Sequence, residues 1–200
     1  MSGETGATED PTIARWDERY RESLADWPDE REPHAFLAAH ADLLPESGTA
    51  LDVAAGLGRN SVWLARRGLR VTAVDGSAVA CAHLSQRAAK LAQTEGLEIA
   101  VVCADLEREA LPSGPFDVVV CTLYLQRSLA GAIVEALAPR GVLVFSTYLE
   151  AGVEGRAARR YGLKRGELAA MFPGLETLVY EEDGDEVERP SASLLGRKPG

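Results

Sequence analysis

LDVAAGLGRNS, residues 51–61, decides the fold. ALDVAAG, residues 50–56, is a short apolar run that ends in a loop holding Gly56 and Gly58, and Trp63, Leu64 and Ala65 then follow at helical spacing up to Gly68. That is a strand, a glycine loop and a helix, and downstream the alternation repeats. LRVTAVD (69–75) reads as a strand, AVACAHLSQRAAKLAQTEG (78–96) as a helix, and LEIAVVCADL (97–106) and FDVVVCTLYL (116–125) as strands. SLAGAIVEALAP (128–139) reads as a helix stopped by Pro139, and GVLVFSTYL (141–149) as another strand. Near-continuous apolar strands between amphipathic helices imply a parallel sheet covered on both faces, a doubly wound α/β fold. Beyond it, ARRYGLKRGELAAMF (158–172) suggests a helix. TLVYEED (177–183) and SASLLGRK (191–198) suggest a closing antiparallel strand pair around the polar turn GDEVERP, read as a solvated hairpin tip.

Upstream of the glycine loop, Ile13, Trp16, Tyr20 and Leu24 recur at helical spacing, and Pro28 and Pro33 break the pattern. HAFLAAHADLLP (34–45) reads as a short amphipathic helix closed by Pro45, whereas residues 1–12 carry too little apolar content to offset the entropy of ordering and read as a mobile tail. One domain over residues 13–200 is the expectation for 200 residues with 46% hydrophobic content. The net charge of -10 repels polyphosphate and does not favour nucleic acid as a partner. Cys81, Cys103 and Cys121 stand singly in apolar surroundings with no histidine at ligand spacing, so they read as reduced core residues and no metal is expected. The polar, acidic start and the lack of a long apolar run suit a cytoplasmic protein without a membrane span. Composition does not decide the oligomeric state.

In an open α/β sheet, ligands bind beyond the carboxyl ends of the strands where the strand order switches, which directs attention to this loop. Asp75 ends the second strand, 23 residues after Asp52, at the spacing where a carboxylate accepts hydrogen bonds from both hydroxyls of a ribose. An adenosine-containing cofactor is expected. A pyrophosphate on the loop would need positive potential, yet Asp52 places a carboxylate there, and Ser61 stands where the third glycine of GxGxxG would sit. The amino-acid end of S-adenosyl-L-methionine, with its ammonium beside a sulfonium, suits an acid instead.

The run Asp52, Ala54, Gly56, Gly58 resembles the D-x-G-x-G-x-G motif of class I S-adenosylmethionine-dependent methyltransferases, with a size-conserving alanine in place of the first glycine. VTAVDGS resembles the second motif of that family, which implies Asp75 on the ribose with Gly76 and Ser77 beside it. CADL resembles the third, which implies Asp105 and Leu106 at the adenine. Asn60 and Cys121 are further candidates for the cofactor pocket. A finer similarity is to bacterial tellurite-resistance-type and small-molecule methyltransferases, in which a segment similar to WDERY folds over the cofactor, which implies Trp16, Arg19 and Tyr20 as lid candidates, whereas helical spacing alone equally suits Trp16 and Tyr20 as core residues.

Methyl transfer from a sulfonium is an in-line displacement, so the protein must chiefly align nucleophile and methyl. His34, His40 and His83 read as helix residues that lead away from the strand ends, which suits an acceptor already nucleophilic, such as a thiolate, selenide, reduced metalloid or amine. Tyr20, Tyr124, Arg127 and Tyr148 are the candidate catalytic residues. Arg156, Arg159, Arg160, Lys164 and Arg165 form a basic cluster able to draw an anionic substrate or to stand as a solvated helix face. With few insertions to enclose a large partner, a small-molecule substrate is expected. Two other readings share the fold: a cofactor-binding regulatory protein without turnover, and an NAD(P)-dependent oxidoreductase, which Asp52, Ser61 and a missing Tyr-x-x-x-Lys pair oppose.

Overall fold

The computed structural model describes residues 11–28, 30–153, 158–184 and 186–200. Seven strands form one sheet: β1 (Gly48–Val53), β2 (Leu69–Asp75), β3 (Ile99–Cys103), β4 (Phe116–Thr122), β5 (Leu137–Tyr148), β6 (Glu176–Glu182) and β7 (Ser191–Arg197). Their spatial order is β3-β2-β1-β4-β5-β7-β6. The first five are parallel, and β7 runs antiparallel to both β5 and β6. Strand alternation sorts the apolar side chains onto two faces. Leu51, Val53, Val119, Cys121, Leu143 and Phe145 enter one core, while Ala50, Val118, Val120, Val142 and Val144 enter the other.

The helices are α1 (Pro11–Leu24), α2 (Ala35–Ala39), α3 (Arg59–Arg66), α4 (Ala78–Glu95), α5 (Ala130–Ala136), α6 (Ala158–Tyr161) and α7 (Glu167–Met171). The chain turns from β1 toward β2 on one side and reaches β4 on the other, so the strand order reverses at the carboxyl end of β1.

Several boundaries differ from the sequence reading. The expected helix 34–45 is α-helical only over Ala35–Ala39, where His40 at φ -114° ends it, and a separate 3-10 turn follows at Ala41–Leu43. Helix α1 begins at Pro11, taking in two residues read as tail, and the rest of that tail, residues 1–10, lies outside the described residues. Strand β4 stops at Thr122 because Leu123 enters the left-handed region at φ 59°. Residues 128–139 supply a helix only from Ala130 to Ala136, and Leu137 already pairs with Phe116 as the start of β5. The Lys198 ammonium donates to the carbonyls of Val134 and Leu137 at 2.8 and 2.6 Å, capping the helix end. The expected helix 158–172 splits into α6 and α7: Gly166 takes φ 74°, and the Leu163 N–H leaves the helical path to donate to the Tyr148 carbonyl at 2.9 Å. Among the described residues no helix is long and apolar enough to cross a membrane.

Candidate active site

Two buried carboxylates shape the loop after β1. Asp52 is 1% exposed, and its Oδ2 accepts the Ser61 hydroxyl at 2.6 Å, fastening the first turn of α3 to the strand. Burial raises its carboxyl to about 7, against the Ser61 bond, and the neighbouring Asp75 charge pushes the same way as burial. Asp75 accepts the Gly56 N–H on one oxygen and the Ser77 N–H on the other, each at 2.8 Å. Burial raises its pKa too, and those two bonds oppose it. The loop needs its left-handed backbone: Gly56 stands at φ 55°, and a Cβ there would sit 2.8 Å from the Tyr20 hydroxyl. Ala54 takes φ 55° as well, so the alanine conserves size while holding a conformation that favours glycine.

Helix α1 lies over this end of the sheet. Asp17, 6% exposed, accepts the Ser77 hydroxyl and, at 3.3 Å, the Val79 N–H, which puts a carboxylate against the N-terminus of α4. Trp16 and Tyr20 stack with centroids 5.8 Å apart, and the Arg19 guanidinium lies 5.0 Å from the Trp16 centroid. Beneath the helix runs a narrow cleft of about 80 Å³ whose walls include Ala54, Asp75, Gly76, Ser77, Asp105 and Leu106, with Ile13 and Trp16 of α1 closing it. Leu123 and Tyr124 belong to this cleft and also to a chamber of about 590 Å³ that Arg15, Arg19, Tyr148 and Arg189 help to enclose. The two spaces adjoin, sharing Leu123 and Tyr124 at the end of β4 as common wall.

The structure thus gathers Trp16, Ala54, Asp75, Gly76, Ser77, Asp105 and Leu106 around the cleft, and Trp16, Arg19, Tyr124 and Tyr148 around the chamber. Other candidates fall elsewhere. Asp52 is sealed below the loop and spent on Ser61, so it does not line either space. Gly56 and Gly58 shape the backbone, and Tyr20 reaches over Gly56. Asn60 is a structural bridge: its amide donates to Thr122 Oγ1 at 2.9 Å and its oxygen accepts the His34 N–H at 2.9 Å. Cys121, 1% exposed, packs in the core, where burial raises its thiol pKa, and Cys81 is buried too, but Cys103, read as a core residue, is exposed at the end of the edge strand β3. Arg127 turns away from the site to pair with Glu167 at 2.5 Å and to donate to the Gly162 carbonyl at 2.9 Å, tying the end of β4 to α7.

The histidine reading needs one correction. His34 precedes α2, but its backbone bond to Asn60 brings it beside α3, and burial, with Arg59 nearby, pushes its imidazole down to about 4. Two members of the basic cluster are neutralised: Arg160 pairs with Glu107 at 2.6 Å and Arg165 with Glu182 at 3.0 Å, while Arg156 and the side chain of Arg159 lie outside what the structure describes. Sequence reasoning missed Ile13, Asp17 and Arg15 as site-forming positions of α1, and Arg189, which the supposed hairpin tip delivers to the chamber. The helical repeat around Trp16 held the signal for the first three. Nothing local marks Arg189.

The donor set of the cleft fits an adenosine-bearing ligand. A buried carboxylate with unused lone pairs meets ribose hydroxyls, and Ile13 and Leu106 offer apolar surface to a flat base. Among the described residues, no group of three or more metal-ligating side chains comes together.

A family model described as a methyltransferase domain matches residues 50–141. No curated protein matches by sequence. Among solved structures, TehB from Haemophilus influenzae is similar at a TM-score of 0.70 with 18% identity, over 92% of this chain and 67% of that one. The N-methyltransferase NodS from Bradyrhizobium japonicum WM9, in complex with S-adenosyl-L-homocysteine, is similar at 0.68 with 21% identity, over 96% of this chain and 100% of that one. The [4+2]-cyclase SpnF is similar at 0.69 with 16% identity, over 94% and 95%. At these identities the likeness establishes a shared fold.

Proposed function

We propose, from the match of residues 50–141 to a methyltransferase domain model, that the chain transfers a methyl group from S-adenosyl-L-methionine to a small nucleophilic acceptor in the cytoplasm. The observation that carries this reading is the adjacency of two spaces. A narrow cleft holding Asp75 shares Leu123 and Tyr124 with a larger chamber, which places room for an acceptor directly beside room for the donor.

In this reading Asp75 takes the ribose hydroxyls, Leu106 and Ile13 flank the base, and Ala54 with Gly56 lets the backbone approach the amino-acid end. Trp16 and Tyr20 exclude water from above. S-adenosyl-L-methionine supplies a sulfonium methyl whose C–S bond breaks with its electron pair left on sulfur, while the acceptor's lone pair forms the new bond and any displaced proton leaves to solvent. Alignment across the shared wall is the protein's contribution. The fold is also that of a [4+2]-cyclase, so turnover of the methyl group, beyond cofactor binding, is what distinguishes methyl transfer from another use of the fold.

Calorimetry with S-adenosyl-L-homocysteine and NADH, followed by transfer of a labelled methyl to thiols, amines, phenols and reduced selenium, tests the proposal. Binding of the sulfur ligand is expected, and its affinity should fall by about tenfold or more in Asp75→Ala, roughly 1.4 kcal/mol for a lost charged acceptor. Tight NADH binding without binding of the sulfur ligand would overturn the reading.

A further inference from the structure

We infer that the acceptor is an anionic, planar aromatic molecule, a ring carboxylate or its close analogue, held in the chamber by Arg189, Arg15 and Arg19 against aromatic faces. The inference rests on the proposed methyl transfer and extends it to the substrate class. In a protein of net charge -10, this chamber collects three guanidinium groups. Of the carboxylates in its wall, Glu107 is held by Arg160 through both oxygens, at 2.6 and 2.8 Å, which leaves Glu188 to face the three arginines. The chamber's own lining therefore holds more arginine than unpaired carboxylate, with Glu18 and Glu22 standing beside Arg15 and Arg19 in a neighbouring pocket.

The arginines are also oriented. Arg189 stacks 4.3 Å from the Tyr148 centroid and Arg19 lies 5.0 Å from that of Trp16, so both forks are pre-set without a carboxylate partner among the described residues. A guanidinium stacked on an aromatic face keeps its N–H edge available for bidentate recognition of a carboxylate. Trp16, Tyr124 and Tyr148 supply ring faces, and Leu123 places an apolar side chain at the shared wall although it is 39% exposed and held at φ 59°. A non-glycine residue held in that backbone region at the mouth of a cleft is a strained feature of the kind that binding sites retain. A rigid ring with a charged edge matches both halves of the lining, its carboxylate toward the arginines and its face toward Tyr124, whereas a cation would face the arginines and a flexible aliphatic anion would make no use of the Tyr124 ring.

The test uses the full chain saturated with S-adenosyl-L-homocysteine and titrated calorimetrically with 4-hydroxybenzoate, 1-hydroxy-2-naphthoate and indole-3-carboxylate, each against its primary amide, and with succinate. At least one acid is expected to bind about tenfold or more tightly than its amide and than succinate. Arg189→Gln should erase most of that preference while leaving the affinity for S-adenosyl-L-homocysteine unchanged. Equal binding of acid and amide, no binding of any aromatic acid, or an unaltered preference in Arg189→Gln overturns the inference. Failure to bind S-adenosyl-L-homocysteine in the first step strikes instead at the methyl-transfer reading.

Discussion

Asp52 and Asp75 show how two acids of one motif take different tasks. Both stand at strand ends and both are legible in the sequence by position, but only contacts separate them: Asp75 borders the cleft while Asp52 is shut beneath the loop with Ser61. A charge sealed in this way has a pH signature. The Asp52 carboxyl is raised from 3.8 to about 7, chiefly by burial, so the folded state holds its proton more tightly than the unfolded one. The resulting penalty is absent below the unfolded value, grows as pH climbs between the two values, and is complete above about 7. Asp52→Asn, which keeps an acceptor for the Ser61 hydroxyl, removes that penalty. Thermal midpoints measured from pH 4 to 8 should show the variant gaining on the native chain as pH rises to 7. A constant offset across that range would contradict the assignment. Arg127 and Arg189 mark the limit of local reading: one is spent on Glu167, 40 residues away, and the other reaches Tyr148 from a distant turn. Neither pairing leaves a trace in short-range spacing.

At the scale of elements, the strands were legible as near-continuous apolar runs, and Val118–Val120 and Val142–Val144 show the reason, since successive side chains enter two different buried cores. Helix lengths were not, since tertiary bonds override them: Leu163 leaves the helical path for Tyr148, and Leu137 for the sheet. The placement of α1 over the cleft follows from one side chain that the sequence reading passed over. Asp17 accepts from the Ser77 hydroxyl and Val79 N–H, and Ser77 in turn caps α4 through the Ala80 N–H at 3.2 Å. Removing that carboxylate costs about 1–2 kcal/mol by the usual worth of such a contact. Asp17→Ala should accordingly speed tryptic cleavage within α1, at Arg15, Arg19 or Arg21, by about tenfold, while the rest of the chain stays intact. S-adenosyl-L-homocysteine should protect the native helix. An unchanged cleavage rate in α1 would mean that its hold on the sheet lies elsewhere.

For the whole molecule, the binding site joins parts that are far apart in sequence: α1, the ends of β1, β2 and β4, and the turn that carries Arg189 into the chamber. A ligand that fills the cleft therefore stabilises the sheet and its α1 roof together. Ligand at one hundred times its dissociation constant contributes about 2.7 kcal/mol to the folded state, and a chain of this size shifts its midpoint by roughly 2–4 °C per kcal/mol. S-adenosyl-L-homocysteine at that level should raise the thermal midpoint by roughly 5–10 °C in a single transition, whereas NADH should leave it in place. Because Asp17 holds the roof and not the floor, Asp17→Ala should keep one transition but show a smaller rise at the same ligand concentration, by an amount that tracks its lost affinity. Two resolved transitions in the native chain would show that α1 melts apart from the sheet, and an equal rise with NADH would place the selectivity of the cleft outside Asp75 and its neighbours.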